Sequence, residues 1–347
     1  MSGRVVLERL GEREMAALLV GGELEDFLID PASGTDFAQG AVFRAIVDRA
    51  LKVRGGAIAR LPSGRKAFVK GAGVCAAGAS ILVQISSYAE SGKAMPVTLN
   101  VRFKRRYAVA VLERPGINLS RSIQSPDRRV YLASLAERLC RDAPHNVGVI
   151  LRSACADACD GEIASDVRTV LGNAEKALAG ASGKSPEMLL PGPRAGEIAQ
   201  RDWKGAALAD SDGAGFEESG IWDMLHDVRG ERFEIQRGAT MYVQETRALV
   251  AVDVNTGSDT SPGSSLKANL AAARELPRLL RLKGLGGQIV IDFAPSPKNS
   301  RDSIVDALRN SLSNDPVDTS LAGWTPLGNF ELQRKRSRYP LSEAWPE

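Results

Sequence analysis

Histidine, cysteine and long apolar runs are scarce in this sequence of 347 residues, and each scarcity excludes a class of protein. The two histidines, His145 and His226, nearly exclude chemistry that needs a histidine base together with histidine metal ligands, so any metal site must use carboxylates. The four cysteines are too few and too scattered for a secreted disulfide scaffold. No apolar run approaches the roughly 18–20 residues that span a membrane, and the N-terminus is charged where a signal peptide would be apolar. These absences indicate a cytoplasmic protein with reduced thiols and no membrane partner.

Charge is unevenly distributed along the chain, although its net value is only +3. Residues 101–152 contain eleven lysines and arginines against four acidic residues, whereas residues 206–234 contain eight acidic residues against two arginines. Basic and acidic segments that alternate along a chain usually belong to a solvated surface. A basic middle segment is also the electrostatic feature expected of a protein that binds phosphate backbones. Nucleic-acid binding is therefore one of two interpretations of this segment.

The first half of the sequence favours short strands. Gly21-Gly22 predicts a hairpin turn within the first thirty residues. Between about Gly40 and Ile123, short strands separated by turn-forming residues, Ala108–Leu112 the last of them, predict a small closed barrel such as an OB-fold. Barrels of this kind often bind single-stranded nucleic acid through a basic groove and a few aromatic side chains. The candidate aromatic residues are Phe68, Tyr88, Phe103 and Tyr107.

The second half favours helices and a βαβ unit. Apolar spacing predicts helices over Asp127–Arg141, with Val130 on the buried face, and over Asp166–Leu178. Residues 248–254 and 288–293 are apolar strands, and the segment between them has the spacing of a helix with one awkward proline, Pro277. Strand, helix and strand in this order predict a parallel pair of strands.

Asp253 and Asp292 suggest a metal site, because they lie at the carboxyl ends of these two strands, where open α/β sheets bind ligands. Two carboxylates there would repel each other unless a cation lay between them. Mg²⁺ prefers oxygen ligands and binds through one or two carboxylates together with substrate phosphate. Asn255, on the same face as Asp253, could orient a phosphate or a water. The alternative is a pair of aspartates that cap helices or loops.

The sequence around these aspartates resembles a known family. Residues 251–257 (AVDVNTG), 267–270 (KANL) and 286–293 (GGQIVIDF) resemble the catalytic region of the ribonuclease E/G family. Residues 327–336 (LGNFELQRKR) resemble its closing motif, and residues 148–154 (GVILRSA) resemble part of its 5′-sensor. On these motifs the chain is identified as a member of that family.

The resemblance implies a mixed α/β fold of several subdomains. A split RNase H-like domain would comprise residues 1–38 and 165–228, and an S1-like OB-fold RNA-binding domain would be inserted at residues 39–120. A 5′-sensor-like region at residues 121–164 and a DNase I-like α/β catalytic domain at residues 229–347 would complete the chain.

The resemblance also implies an endoribonuclease that acts in RNA processing or decay on single-stranded, AU-rich, 5′-monophosphorylated RNA. Asp253 and Asp292 match residues that hold Mg²⁺, with Mn²⁺ as a substitute, and Asn255 matches the residue that supports them. Water activated by the ion would attack phosphorus and leave 5′-phosphate and 3′-hydroxyl ends.

Other matched positions concern RNA binding. Arg152 and Ser153 match an Arg-Thr pair that binds the 5′-monophosphate, where guanidinium and hydroxyl groups can both donate to phosphate oxygens. Phe68 matches an RNA-contacting aromatic of the barrel, although a phenylalanine in a β-barrel more often belongs to the core. The basic segment supplies further candidate RNA-binding residues, namely Lys104, Arg105 and Arg106.

The sequence departs from the family at several positions. Arg247 stands where the family has a glutamate, and Ile58 stands where the barrel's second aromatic is expected. The sequence ends at Glu347, where the family's CPxC zinc-link would begin, so we expect no zinc site, and any homodimer would have to form without the link. These departures keep open the alternative of a catalytically weak RNA-binding paralogue. A nuclease that acts on DNA with the same metal chemistry is a further, minor alternative.

Overall fold

A computed structural model describes residues 3–51, 55–71, 76–90, 92–203, 207–210, 215–236, 238–259, 261 and 263–345. The chain has a mixed α/β fold and divides into two units, one of Met1–Ala32 with Gly205–Glu347 and the other of Ser33–Lys204. In the part of the chain so described, no helix has the length and apolar character needed to cross a membrane.

Strands and helices are numbered in chain order. The strands are β1 (Gly3–Leu10), β2 (Arg13–Val20), β3 (Glu23–Ile29), β4 (Val42–Leu51), β5 (Gly56–Arg60), β6 (Lys66–Lys70), β7 (Ser80–Ile85), β8 (Met95–Thr98), β9 (Arg102–Lys104), β10 (Ala108–Leu112), β11 (Gly116–Leu119), β12 (Val147–Leu151), β13 (Glu187–Leu190), β14 (Ala207–Asp210), β15 (Arg232–Gln236), β16 (Ala239–Glu245), β17 (Val250–Asn255), β18 (Gly287–Asp292), β19 (Thr319–Trp324) and β20 (Phe330–Arg334). The helices are α1 (Pro126–Leu139), α2 (Asp160–Ala179), α3 (Ala195–Asp202), α4 (Gly215–Glu218), α5 (Ile221–Arg229), α6 (Ser264–Leu282), α7 (Arg301–Ser313) and α8 (Leu341–Ala344).

The unit of residues 33–204 contains a closed barrel. Strands β4, β5, β6, β8 and β7 pair in that order, and β7 returns to pair with β4. Small and branched apolar side chains such as Ala45, Ala59 and Val83 fill the interior. The predicted barrel included Ala108–Leu112, and this was wrong, because β10 pairs with β9 and β12 in a separate sheet. Strand propensity alone does not select a partner strand, and the partner β12 lies about forty residues further along the chain.

The separate sheet has the order β11-β12-β10-β9 and packs with α1 and α2. The two predicted helices are confirmed, and α2 begins six residues before the predicted start. Val130 does not belong to the buried face of α1, since 73% of it is exposed. Leu132, Leu135 and Ala136 form that face instead, because Val130 lies half a turn from Leu132 around the helix.

The other unit contains two sheets. One has the order β14-β1-β2-β3, and Gly21 and Gly22, with φ of 63° and 89°, form the predicted β2–β3 turn. The second sheet has the order β15-β16-β17-β18-β20-β19. The predicted βαβ unit is confirmed as β17-α6-β18 with parallel strands, and α6 continues through Pro277. Helices α6 and α7 contribute to the core on one face of this sheet.

Candidate active site

Asp253 and Asp292 are direct partners across the parallel strands β17 and β18. Residues paired in register project from the same face of a sheet, and neighbouring strands lie roughly 4.8 Å apart. Both aspartates are exposed, whereas the residues beside them in each strand, such as Val252 and Ile291, are buried in the core. Alternation along each strand therefore sends the two carboxylates away from the core and side by side.

Asn255 lies two residues beyond Asp253 on the same face of β17. Its side-chain Nδ2 donates a hydrogen bond of 2.7 Å to Oδ2 of Asp253. The chain then turns at Gly257, which has φ of 63° and lies so close to Gly238 that a Cβ atom would be 2.2 Å from the Gly238 carbonyl oxygen. Only glycine fits this approach, which fixes the path of the chain just after the asparagine.

A buried asparagine that the sequence analysis did not assign a role holds the segment after Asp292. Asn269 in α6 is fully buried. Its Nδ2 donates to the carbonyl oxygen of Ala294 and its Oδ1 accepts from the amide of Ala294, both at 2.9 Å. A polar residue within the buried face of a helix was the available signal, because such a group needs a partner. Asn269 therefore fixes the backbone two residues beyond the second aspartate.

The two aspartates lie in a depression on the open face of the sheet. Leu249, Ala251 and Val290 provide apolar surface, and the residues that complete the lining are Gln244, Val252, Asp253, Asp292 and Asn329. Among the described residues, no lysine or arginine forms an ion pair with either aspartate. The depression thus presents two adjacent carboxylates that no basic side chain of that part of the chain neutralises.

The donors in this depression fit a hard divalent cation. They are oxygen atoms of two carboxylates, one of which is oriented by an amide. Mg²⁺ takes one or two carboxylates and fills its other positions with water and phosphate oxygens. Within the described ranges, no group of three or more His, Cys, Asp or Glu side chains is arranged to hold a metal. An ion here would therefore keep several positions for water or substrate.

Arg152 and Ser153, the candidate 5′-phosphate residues, follow β12 in the other unit, where Ser153 begins a short 3-10 helix. Nη1 of Arg152 donates to the Arg105 carbonyl oxygen at 2.7 Å, and its Nη2 lies 3.8 Å from Oδ1 of Asp202. Half-burial lowers the pKa of the Arg152 guanidinium, and Asp202 partly offsets this. The guanidinium is thus held in a fixed orientation by groups of its own unit.

The three basic candidates near Arg152 differ in their surroundings. Lys104 is exposed at the end of β9. Nη1 of Arg105 donates to Oε1 of Glu197 in α3 at 2.8 Å. Nη1 of Arg106 lies 3.2 Å from the Gln200 carbonyl oxygen at the end of the same helix. Both arginines therefore stabilise the position of α3, and their contact with RNA stays a prediction.

Phe68 lies on the outer face of the barrel. The neighbours Ala67 and Val69 fill the interior, whereas Phe68 is half-exposed between the exposed residues Lys66 and Lys70 on the same face of β6. Ile58 lies directly opposite Phe68 on β5. Proteins that bind single-stranded nucleic acid commonly combine exposed aromatic rings with basic side chains. Its position therefore does not support the interpretation that Phe68 is a core residue.

Arg247 is exposed in the turn between β16 and β17. The turn is closed by Thr246, whose Oγ1 donates to the Leu249 carbonyl oxygen at 2.8 Å. Leu249 also lines the depression. Arg247 thus adds positive charge to the turn that leads into the strand of Asp253.

Comparison with known proteins gives consistent similarities. Residues 195–337 match the profile of the Ribonuclease E/G family. The chain is 25% identical over 300 residues to Ribonuclease G of Salmonella typhimurium (strain SL1344), covering 75% of this chain and 60% of that protein. It is 24% identical over 306 residues to Ribonuclease G of Escherichia coli (strain K12), covering 77% of this chain and 62% of that protein. It is 26% identical over 307 residues to Ribonuclease E of Synechocystis sp. (strain ATCC 27184 / PCC 6803 / Kazusa), covering 76% of this chain and 45% of that protein. The chain therefore spans three fifths or less of the length of two of these relatives and slightly more of the third.

Proposed function

We propose that the chain is an endoribonuclease of the ribonuclease E/G type that cleaves single-stranded RNA at Asp253 and Asp292, in keeping with its similarity to that family. One observation carries the proposal: the two carboxylates are paired in register on neighbouring parallel strands, in a depression where no described basic side chain neutralises them. Unneutralised carboxylates would repel an RNA phosphate unless a cation were bound between them. The arrangement therefore favours phosphodiester chemistry that depends on a divalent ion.

Asp253 and Asp292 are the residues that would hold Mg²⁺ or Mn²⁺ in this proposal. When bound, such an ion supplies a water of lowered pKa and positive charge beside the reacting phosphate. Asn255 keeps the Asp253 carboxylate in one orientation through its hydrogen bond, so that the carboxylate does not have to reorganise when substrate arrives. Asn269 helps to orient the second carboxylate in a less direct way, because its hydrogen bond with Ala294 fixes the backbone that follows Asp292.

The chemistry of the product ends tests this assignment. If water is the nucleophile, the products carry 5′-phosphate and 3′-hydroxyl ends. If the neighbouring RNA 2′-hydroxyl were the nucleophile, the products would carry 2′,3′-cyclic phosphate and 5′-hydroxyl ends. Mass spectrometry of the fragments from one defined oligoribonucleotide distinguishes the two. Cyclic phosphate ends would contradict the roles proposed for the two aspartates.

RNA binding by the unit of residues 33–204 completes the proposal. Phe68 would stack on a base while Lys66 and Lys70 attract the backbone, and Arg152 with Ser153 would bind a 5′-monophosphate. AU-rich sequences are the proposed substrates. The S1-like, 5′-sensor-like, RNase H-like and DNase I-like domains, the zinc-free homodimer and the cytoplasmic location stay predictions.

Arg152→Ala tests the proposed 5′-phosphate site. We expect the preference for 5′-monophosphorylated over 5′-hydroxyl RNA to fall about tenfold, since a hydrogen bond to a charged group contributes roughly 1.5–3 kcal/mol. The ratio of kcat/KM for the two substrates measures this preference. Arg168→Ala, at an exposed position of α2, is the matched control and should leave the ratio unchanged. An unchanged ratio for Arg152→Ala would mean that Arg152 does not bind the 5′-phosphate and only holds the backbone at Arg105.

A catalytically weak RNA-binding protein of the same family is the second candidate. The observation that favours it is Arg247, an exposed basic residue at a position where the family has a glutamate. Binding of single-stranded RNA without cleavage would support this candidate. Equal cleavage of single-stranded DNA and RNA would instead favour a nuclease without preference for RNA.

A further inference from the structure

Leu327 is an unusual leucine, because 93% of it is exposed. It lies in the turn between β19 and β20, and this turn is closed by well-formed hydrogen bonds. The amide of Thr325 donates to the Asn329 carbonyl oxygen at 2.7 Å, and the amide of Gly328 donates to the Thr325 carbonyl oxygen at 3.0 Å. Oγ1 of Thr325 also accepts from the amide of Asn329 at 3.1 Å. The turn therefore holds an apolar side chain out in solvent, where it buries almost no surface against the rest of the fold.

The same turn borders the candidate active site. Asn329, two residues beyond Leu327, lines the depression that contains Asp253 and Asp292. A polymer that places one phosphate at these aspartates must continue away from the depression in both directions. A bound polymer that leaves the depression past Asn329 would meet the side chain of Leu327.

A basic group lies beside the turn that carries Leu327, whose exposed side chain is called the apolar tip below. The guanidinium carbon of Arg301, the first residue of α7, lies 4.5 Å from the centre of the Trp324 ring. Its Nη2 lies 3.7 Å from the position that a Cβ atom on Gly328 would occupy. Among the described residues Arg301 has no carboxylate partner, and the residue as a whole is half-buried.

The position of Arg301 is fixed by an aromatic cluster. Trp324 packs against Phe293 and Phe330, with ring centres 5.7 and 5.1 Å apart. Phe293 directly follows Asp292, so the cluster joins the guanidinium to the strand that carries the second aspartate. A cation without a carboxylate partner, stacked on a rigid ring, is suited to accept an anion.

We propose that Leu327 and Arg301 form a base-and-phosphate subsite for single-stranded RNA beside Asp253 and Asp292. The proposal rests on the proposed function for the identity of the polymer. Leu327 packs on the face of a base next to the cleaved bond, and Arg301 binds a phosphate of the same strand. An apolar tip beside an unpaired cation matches the alternation of bases and phosphates along a single strand. Bases in a single strand expose their faces, whereas bases in a duplex must first be unstacked, so the subsite also selects against duplex RNA.

RNA binding by four variants tests the subsite. Each variant is made in the Asp253→Asn background, which prevents cleavage, and the probe is a fluorescent, single-stranded, AU-rich oligoribonucleotide. Leu327→Ser should weaken binding about fivefold, whereas Leu327→Phe should bind as tightly as leucine or more tightly, since an aromatic ring stacks better. Arg301→Gln should weaken binding and lower the salt dependence by about one phosphate contact. Arg309→Gln, at an exposed position of the same helix, is the control and should alter binding by less than about twofold.

A second control, made at an apolar residue, separates the loss of a specific contact from a general loss of surface hydrophobicity. Val130 is 73% exposed on α1, in the other unit, and Val130→Ser should not alter binding. If Leu327→Ser binds as tightly as its parent, or if a duplex of the same sequence loses as much affinity as the single strand, the subsite is wrong. If the unmutated chain binds RNA through Leu327 and Arg301 but does not cut it, the proposed nuclease activity fails while the subsite stands. If it cuts RNA and none of these variants alters binding, the subsite alone fails.

Discussion

We expect Asp253→Asn to abolish RNA cleavage, with a loss of about a thousandfold or more, and to leave RNA binding nearly unchanged. Asparagine has the shape of aspartate but lacks the negative charge that attracts a divalent ion. The side chain is exposed on the open face of the sheet, so the substitution leaves no cavity and no buried polar group without a partner. The expected loss is large because Asp292 would then be the one carboxylate left among the described residues that line the depression.

Cleavage and binding must be measured on the same preparations. Single-turnover cleavage gives the rate, and fluorescence anisotropy without added metal gives the affinity for RNA. Asp306→Asn, at an exposed position of α7 where the aspartate pairs with Arg309, is the control and should cut at the rate of the unmutated chain. Loss of binding by Asp253→Asn would show that the carboxylate has a structural role, and an undiminished cleavage rate would place the active site elsewhere.

Asp315→Ala lowers the free energy of unfolding by about 3–5 kcal/mol, the largest effect on stability that we expect from one substitution outside the apolar core. The Asp315 side chain is fully buried between two arginines. Its Oδ2 accepts from Arg281 in α6 at 2.6 Å, and its Oδ1 accepts from Arg334 in β20 at 3.0 Å. Arg334 is 1% exposed and has only Thr319 as another side-chain partner among the described residues. Removal of the carboxylate would leave a buried guanidinium without a counter-charge.

Urea denaturation, followed by circular dichroism, measures this effect. Asp306→Ala removes an exposed aspartate that is also paired with an arginine, and it should cost no more than about 1 kcal/mol. Because Asp315 joins α6 to β20, its loss should also broaden the unfolding transition or lower its slope if the two elements separate first. A loss below about 1 kcal/mol would mean that water or other carboxylates can solvate Arg334 in the variant.

The arrangement of the two aspartates could be predicted from sequence because local rules determine it. Two apolar strands separated by one helix predict parallel strands in neighbouring or near-neighbouring positions, and the carboxyl ends of such strands meet at one edge of the sheet. An acidic residue at each of those ends then leads directly to Asp253 and Asp292. The structure adds the exact register, which pairs one aspartate with the other.

The parts of the site that could not be predicted depend on contacts between distant residues. Asn269 is recognisable as a polar residue in an apolar helix face, but its partner Ala294 lies 25 residues away. No local sequence pattern distinguishes Arg301 or Leu327 from ordinary solvated residues. The position of Arg301 becomes clear only from its packing on Trp324, and that of Leu327 only from the hydrogen-bonded turn that holds it. The extent of the barrel was overestimated for a related reason, because a strand pattern does not identify the sheet that a strand joins.

A cleavage time course tests the central claim most directly. The substrate is a fluorescent, 5′-monophosphorylated, AU-rich oligoribonucleotide, and the unmutated chain is compared with an Asp253→Asn/Asp292→Asn double variant, each with and without Mg²⁺. We expect cleavage only by the unmutated chain and only with the ion, because the proposed mechanism assigns the ion to the paired carboxylates. Cleavage by the double variant, or cleavage by the unmutated chain at the same rate in EDTA, would contradict the account.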